Sequence, residues 1–427
     1  MTVTCDEPTE GISSTARGWW NQTVIGAGVT SALGDLCYET TTVVLPGFLA
    51  VLGIPAAALG IVEGIADTVA SFTKMLAGFL ADKLGHRKLL VVVGYGLTPL
   101  GQLLIAVAAG WPLLLVGRVV SWFGKGLRGP LRDAIVIQSI PPETRGRAFG
   151  FHRAMDTTGA VLGPLLGVAL LGQAQAYSWQ DPSGPFRVVL WLSVIPGGLA
   201  VVAFLTLVTD PAHTPNPTLR FFTSLRGLPR GFRRYLQAVG VFGSGDFSHS
   251  LLLLAATQVL TPSLGVVRAA QIAGLLYVGR NVVQVVASYP IGVLADRVGS
   301  LPVLVGGYLL GVTAAVLTAL CFHLETESLQ LLAVVFVVAG LSIAVQEALE
   351  STVTAGLVTE ATLGTSLGAL GTVNGAAKLL SSSAVGVLWT AVSPVWAFGA
   401  AAGLMAIGVV LLARLVAAPQ AEGDRQE

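Results

Sequence analysis

The chain has 427 residues, of which 53% are hydrophobic and 11% charged, with a mean hydropathy of +0.77. A soluble globular domain carries roughly 25% charged residues, so composition excludes that class, and a formal net charge of +1 gives no signature of nucleic-acid binding. Apolar runs long enough to cross about 30 Å of hydrocarbon recur along the whole length. They predict about twelve membrane helices. The first half supplies 23–50, 56–81, 89–110, 112–139, 147–173 and 187–209. A polar connection over 210–234 follows, holding Pro211, Pro215, Pro217 and Pro229 with several arginines. Beyond it the second half supplies 235–260, 268–295, 301–322, 329–358, 365–389 and 393–416.

The expected organisation is therefore a polar tail (1–22), a six-helix bundle (23–209), a linker (210–234), a second six-helix bundle (235–416) and a short tail (417–427). The fold class is an all-α membrane protein of two pseudo-symmetric bundles. The polar start, with Asp6, Glu7 and Glu10, does not read as a cleavable signal peptide. Basic residues gather in the loops of one side: Lys83, Arg87, Lys88, Arg145, Arg147, Arg220, Arg226, Arg230, Arg233, Arg234 and Arg297. The other side holds little beyond Arg187 and Arg268. By the positive-inside rule the basic loops are cytoplasmic, and an even helix count puts both termini there in a cytoplasmic (inner) membrane. Cys5, Cys37 and Cys321 show no ligand spacing and read as small apolar residues.

Two turns repeat at half the chain length. Gly78-Phe-Leu-Ala-Asp82-Lys-Leu-Gly85-His-Arg87-Lys88 closes the second apolar run, and Gly292-Val-Leu-Ala-Asp296-Arg297-Val-Gly299 closes the eighth, 214 positions on. Gly34-Asp35-Leu-Cys-Tyr-Glu39 in the first helix is echoed by Gly245-Asp246-Phe-Ser-His249 in the seventh. Duplicated membrane halves are a mark of secondary transporters, whose substrate sits between the copies near the bilayer midplane. Glycine-rich stretches such as Gly243 to Gly245 let helices approach closely or break locally.

These motifs resemble those of the major facilitator superfamily over nearly the full length. The turn from Gly78 to Lys88 is similar to that family's signature loop. The fifth helix, with Gly150, Gly159, Gly163-Pro164 and Gly167, resembles the antiporter signature of the drug–proton exchange branch, with Val168 where a final glycine is usual. The second loop departs from the pattern with Ser300-Leu301-Pro302, and the fourth helix has Gln138 where an acid is common. The resemblance implies alternating access. It also implies gating roles for Gly78, Asp82, Gly85, Arg87, Gly163, Pro164 and Asp296, and a part in proton coupling for Arg118.

Ionisable side chains inside membrane helices each cost about 2.5–3.5 kcal/mol on insertion scales, so they demand a reason. Asp35 and Glu39 share a face of the first helix, four residues apart. Helix 1 of the family lines the central cavity, and neither acid has a basic neighbour within a turn. Alternate binding of proton and substrate to one carboxylate is the simplest coupling for an antiporter. For Asp35 and Glu39 the plainer alternative is static pairing with Lys125, Arg153 or Lys74. Asp246, at the equivalent place in the seventh helix, joins them as a proton-coupling candidate. Glu63, Asp67, Lys125, Asp156, His249, Arg280, Asn281, Gln284, Glu347, Glu350 and Asn374 are candidate substrate contacts. Arg132, Asp133 and Arg153 lie toward the cytoplasmic ends, where ion pairs lock one conformation.

The leading expectation is a proton-coupled antiporter exporting a small solute. Alternatives are a proton symporter or uniporter of a nutrient, a divalent-metal or iron transporter using the carboxylates and His249, or a non-transporting receptor on the same fold. No Gly-x-x-x-x-Gly-Lys-Ser/Thr loop and no enzyme constellation are present. No cofactor or resident metal is expected. The partners expected are a small molecule, protons and the lipid bilayer, with no nucleic acid, and the chain is expected to be monomeric.

Overall fold

The computed structural model describes residues 20–83, 87–141, 145–177, 179–210, 229–358 and 360–423, which among themselves form thirteen helices and no strand. The first six are α1 (Gln22–Val51), α2 (Ala56–Lys83), α3 (Arg87–Ala106), α4 (Trp111–Gln138), α5 (Arg145–Ala174) and α6 (Gly184–Leu207). The remaining seven are α7 (Arg230–Gly243), α8 (His249–Leu264), α9 (Val266–Val298), α10 (Ser300–His323), α11 (Leu329–Leu357), α12 (Glu360–Ala391) and α13 (Pro394–Gly423). Helix α7 starts inside the stretch expected as linker, and α13 continues past 416.

Helix ends follow local chemistry. Asn21 caps α1, its side chain accepting from Val24 N at 3.0 Å. Asp210 Oδ2, just past α6, accepts from the first two backbone N–H groups of α3, Arg87 at 3.1 Å and Lys88 at 3.0 Å. A carboxylate there also suits the positive end of the helix dipole. In the second half no loop is needed between α9 and α10. Gly299 alone makes the joint at φ +98°, a left-handed conformation that glycine adopts without strain.

The seventh expected span is broken rather than continuous. Its ladder stops at Gly243 and resumes at His249, because the small residues Gly243-Ser244-Gly245 give the backbone no reason to stay helical. The freed backbone groups are answered from α12. Ser381 Oγ donates to Asp246 O at 2.8 Å, Lys378 Nζ to Phe247 O at 3.2 Å, and Ser248 N to Ser382 Oγ at 3.0 Å. Non-helical backbone at membrane depth persists only when buried groups satisfy it in this way.

Among the described residues seven helices are long and apolar enough to cross a membrane: α2, α3, α5, α6, α10, α11 and α13. The other spans carry more polar and ionisable residues or, like α7 and α8, are short. Trp191, Ile195 and Leu199 form one exposed stripe of α6, and Tyr289 and Trp396 are exposed on α9 and α13, as faces turned to lipid require.

Two seams join the halves. Along α2 and α12, glycines bring backbones together: a Cβ on Gly64 would meet Leu379 O at 2.9 Å, and Thr68 Oγ1 donates to Gly375 O at 2.8 Å. Along α5 and α9, Gly274 receives Val168, and Asn281 Nδ2 donates to Ala160 O at 3.1 Å. The apolar core differs at the two ends. At one end a single cluster spans both halves, from Val44, Leu45, Phe48 and Phe186 to Leu251, Phe336 and Phe398. At the end where α2 meets α3 there are two large separate clusters, one around Tyr95, Leu131 and Phe204 and one around Tyr235, Phe242 and Tyr308, with a small one around Val24 and Val136 also in the first half. The molecule is sealed at the first end and divided at the second.

Candidate functional site

Between the two separate clusters lies a cavity of about 830 Å³ lined from both halves. Its wall takes Asp35 and Glu39 from α1, Asp67 and Lys74 from α2, Lys125 from α4 and Asp156 from α5. The second half contributes Asp246, His249, Arg280, Glu347, Glu350 and Asn374, with Asn281 and Gln284 beside Arg280. Residues expected as gate elements, Arg132, Asp133 and Arg153, line the same space.

Helix α1 reaches the cavity because α5 lets it. The glycines of α5 stand against its acids: a Cβ on Gly159 would lie 2.8 Å from the Cβ of Asp35, and one on Gly167 would lie 2.6 Å from Val43 Cγ1. Asp35 is 5% exposed; Arg128 Nη2 approaches its Oδ1 at 3.5 Å while Arg128 Nη1 donates to Thr98 at 3.1 Å. Its partner is thus Arg128, not Lys125, Arg153 or Lys74. Glu39 has no ion pair among the described residues. Its Oε2 accepts from Tyr277 OH at 3.1 Å, and Tyr277 comes from α9 of the other half, with its ring stacked on His249 at 5.3 Å.

Glu63, expected as a substrate contact, and Arg118, expected in proton coupling, lie away from the cavity wall. Glu63 and Arg118 are both 0% exposed and face each other in the interior of the first half. Arg118 Nη2 is 2.9 Å from Glu63 Oε1, and its guanidinium also reaches Thr42 Oγ1 at 3.3 Å and lies 3.6 Å from the centre of the Trp122 ring. Trp122 screens the pair from the cavity while its Nε1 donates to Asp67 at 2.8 Å. Glu63 stands one helical turn before Asp67 on α2, and the face turns between the two residues from core to cavity.

Toward the divided end, Ser31 Oγ donates to Asp156 at 2.7 Å, and Arg132 donates to Ser31 at 2.9 Å and pairs with Asp133 at 3.0 Å. Arg153 crosses between halves to Glu347 at 2.9 Å, and Gln284 Nε2 donates to the same oxygen at 2.7 Å. In the second half Lys378 pairs with Asp246 at 2.9 Å. Glu350 accepts from Tyr308 OH at 2.9 Å and Asn374 at 2.7 Å. Pro164 follows Gly163 inside α5. Arg87 is buried at the start of α3. Gly85 lies outside the described residues, as do the side-chain surroundings of Gly78, Asp82 and Asp296. Cys37 and Cys321 are free and buried, and Cys5 lies outside the described residues.

Sequence reasoning missed Tyr38, Trp122 and Tyr277. Tyr38 OH accepts from Lys125 Nζ at 2.7 Å, and the ammonium sits 4.0 Å above the Tyr38 ring. An aromatic residue in an apolar helix gives no signal of this kind, since core packing produces the same letters. Among the described residues no group of three or more His, Cys, Asp or Glu is placed to hold a metal ion.

The cavity thus lies between the two halves of a chain with several membrane-length helices. The chain is 29% identical over 374 residues to an uncharacterized MFS-type transporter of Methanocaldococcus jannaschii, covering 87% of this chain and 89% of that one. It is 28% identical over 196 residues to the multidrug resistance protein MdtH of Photorhabdus laumondii subsp. laumondii, 46% of this chain and 49% of that one. The crystal structure of the nucleoside transporter NupG matches with a TM-score of 0.73 at 14% identity, over 92% of this chain and 99% of that one, a likeness of fold alone. The Major Facilitator Superfamily model matches residues 27–257 and 238–427, and with so much of its length accounted for, this multi-pass membrane chain belongs to that superfamily of transporters.

Proposed function

We propose that the chain exports a small solute in exchange for protons, by alternating access of the central cavity. In this reading the bundles 23–209 and 235–416 rock about the cavity as a monomer in the cytoplasmic membrane, with both termini inside. The observation that carries it is Glu39: a carboxylate in the cavity wall, hydrogen-bonded by Tyr277 across the line where the halves must part. Protonating such a group changes a bond between the two moving bodies, which is what coupling requires. The packing of Asp35 and Glu39 on the glycines of α5 and the likeness to MdtH support antiport and export.

Symport is the second reading. Lys125 and Arg280 are electrostatic neighbours of Glu39, so an anionic solute that engaged them would release the carboxylate to take up a proton and travel with it.

The test is transport of a panel of fluorescent drugs in proteoliposomes, with lumenal pH followed by a trapped dye. Glu39→Gln abolishes drug-coupled proton movement at near-normal folded yield, and Asp35→Asn abolishes it with a lower yield, because Arg128 is left unpaired. Wild-type coupling in both variants would sink the assignment, and proton flow in the direction of the drug would favour symport.

A further inference from the structure

The charges of the cavity are unevenly answered. Eight carboxylates line it, and each of them accepts at least one hydrogen bond or ion pair. Of the seven lysines and arginines in the same wall, Arg128, Arg132, Arg153 and Lys378 stand in ion pairs. Lys74, Lys125 and Arg280 stand in none among the described residues.

The three are held differently, and each is left with capacity to bind. Lys74 is exposed to the cavity and has no hydrogen-bond partner among the described residues. Lys125 is fixed only by the Tyr38 hydroxyl and the faces of Tyr38 and Trp122. Arg280 donates from Nη1 alone, to the amide oxygens of Asn281 at 2.8 Å and Gln284 at 3.4 Å. Those amides are themselves anchored, Asn281 to Ala160 O and Gln284 to Glu347. The guanidinium is therefore oriented by neutral groups, with the rest of its planar fork left for a partner. A fork so presented matches a carboxylate or phosphate.

The three cations line one wall, linked through Lys125. Lys74 and Lys125 are electrostatic neighbours on the first half, and Glu39 lies within the fields of both Lys125 and Arg280. The carboxylates whose fields reach these cations are Asp35 and Glu39 at Lys125, Asp67, Asp156 and Glu347 at Lys74, and Glu39 at Arg280. Each is already engaged elsewhere, by Arg128, Tyr277, Trp122, Ser31 or Arg153. An unpaired charge in a membrane cavity is costly and calls for a counter-charge. We propose that the cargo supplies it: the solute is an organic anion, bearing a carboxylate or phosphate, held between Lys74 and Lys125 of the first half and Arg280 of the second. The inference rests on the cavity being the transport site and not on the direction of coupling. Because the cations belong to opposite halves, the anion is also a tie between the two bodies.

Pyridoxal 5′-phosphate tests this without knowledge of the natural cargo, with pyridoxal as its phosphate-free twin. Each aldehyde condenses with a lysine amine, losing water to give an imine; borohydride adds hydride to give a stable amine that mass spectrometry locates. The full-length protein in nanodiscs is labelled with either reagent, and Lys88, outside the cavity wall, is the internal reference. Relative to Lys88, the phosphate reagent labels Lys74 or Lys125 at least about tenfold faster than pyridoxal, the scale on which a charged cleft concentrates an ion of opposite sign. The excess falls in Arg280→Gln.

Equal labelling by the two reagents overturns the anion assignment and leaves the cavity reading standing. An excess undiminished in Arg280→Gln overturns the two-sided site. Failure of both reagents to reach Lys74 and Lys125 while Lys88 reacts denies solvent access to the cavity, and removes the transport-site reading along with the proposal. The wild-type comparison stands even if the variant does not fold.

Discussion

A Cβ built on Gly163 would stand 2.8 Å from the Cβ of Glu39, closer than two side chains pack. The glycine pattern of α5 is thus a packing face for α1, and it sets how deep the acids of α1 sit beside the cavity. Gly163→Ala forces α1 and α5 apart by a few tenths of an ångström along a buried face. Overpacking of this kind costs about 1–3 kcal/mol, seen as a lower melting temperature of the purified protein. Gly163→Val costs more and uncouples transport by moving Glu39 away from Tyr277. An unchanged melting temperature for both variants would show that the two helices separate freely.

The pair of Arg118 and Glu63 is closed off from the cavity, with both side chains essentially unexposed. Removing one member strands the other as a buried charge, a loss of about 3–5 kcal/mol in comparable pairs. Arg118→Met and Glu63→Ala are each strongly destabilising. The double substitution Arg118→Met with Glu63→Ala recovers part of the loss, since the site then holds no unpaired charge. Thermal unfolding of the four proteins checks this. Additive losses in the double variant would mean that the two residues act separately, and a folded Glu63→Ala protein with weakened solute binding would return Glu63 to the cavity.

The architecture was legible because a bilayer leaves few options: apolar runs of fixed length, basic loops on one side and a turn repeated at half the chain length. The break between α7 and α8 was foreshadowed by Gly243 to Gly245, yet the apolar run continues through it, so hydropathy alone draws one span. What stayed hidden is pairing. Arg118 and Glu63 are 55 positions apart, and Tyr277 meets Glu39 from 238 positions away; helical period assigns a residue to a face but not that face to a neighbour. Aromatic cavity residues such as Trp122 and Tyr38 are spelled like core. The charged residues were visible as anomalies in apolar helices, and only the fold separates those facing the cavity, such as Lys125, from those turned inward, such as Arg118.

Outside the membrane spans, Asp181 accepts from the Ser183 hydroxyl at 2.6 Å and from the Ser183 backbone N–H at 2.8 Å. The Ser183 hydroxyl, then its backbone N–H, hold the carboxyl below its ordinary value, with a further contribution from Arg187. A carboxyl depressed in the folded state stabilises the fold above the unfolded value near 3.9 and loses that contribution as pH falls through the folded value. Ser183→Ala returns Asp181 toward the ordinary value. The variant therefore melts slightly below wild type at neutral pH, with the difference shrinking as the pH drops to about 3. A difference that grew with acidity would contradict the hydrogen-bond account.

Tyr277, itself part of the cluster that seals one end, joins Glu39 to the second half through its hydroxyl. Opening that end requires α1 and α9 to part, so the bond favours the sealed state. Tyr277→Phe removes the donor while keeping the ring that stacks on His249. A hydrogen bond to a charged acceptor is worth about 1.5–3 kcal/mol, which corresponds to a shift of roughly 10–100-fold in the balance between the two orientations. Single cysteines placed at Leu254 and Ile54, at the sealed end, read that balance by their rate of modification with a membrane-impermeant thiol reagent in right-side-out vesicles. The rate rises in the Tyr277→Phe background, and it rises in Glu39→Gln as well if the carboxylate is the acceptor that matters. Combining the two substitutions adds nothing further, because both delete the same bond. A double variant whose rate exceeds both single variants would show that Glu39 and Tyr277 hold the halves together through separate partners.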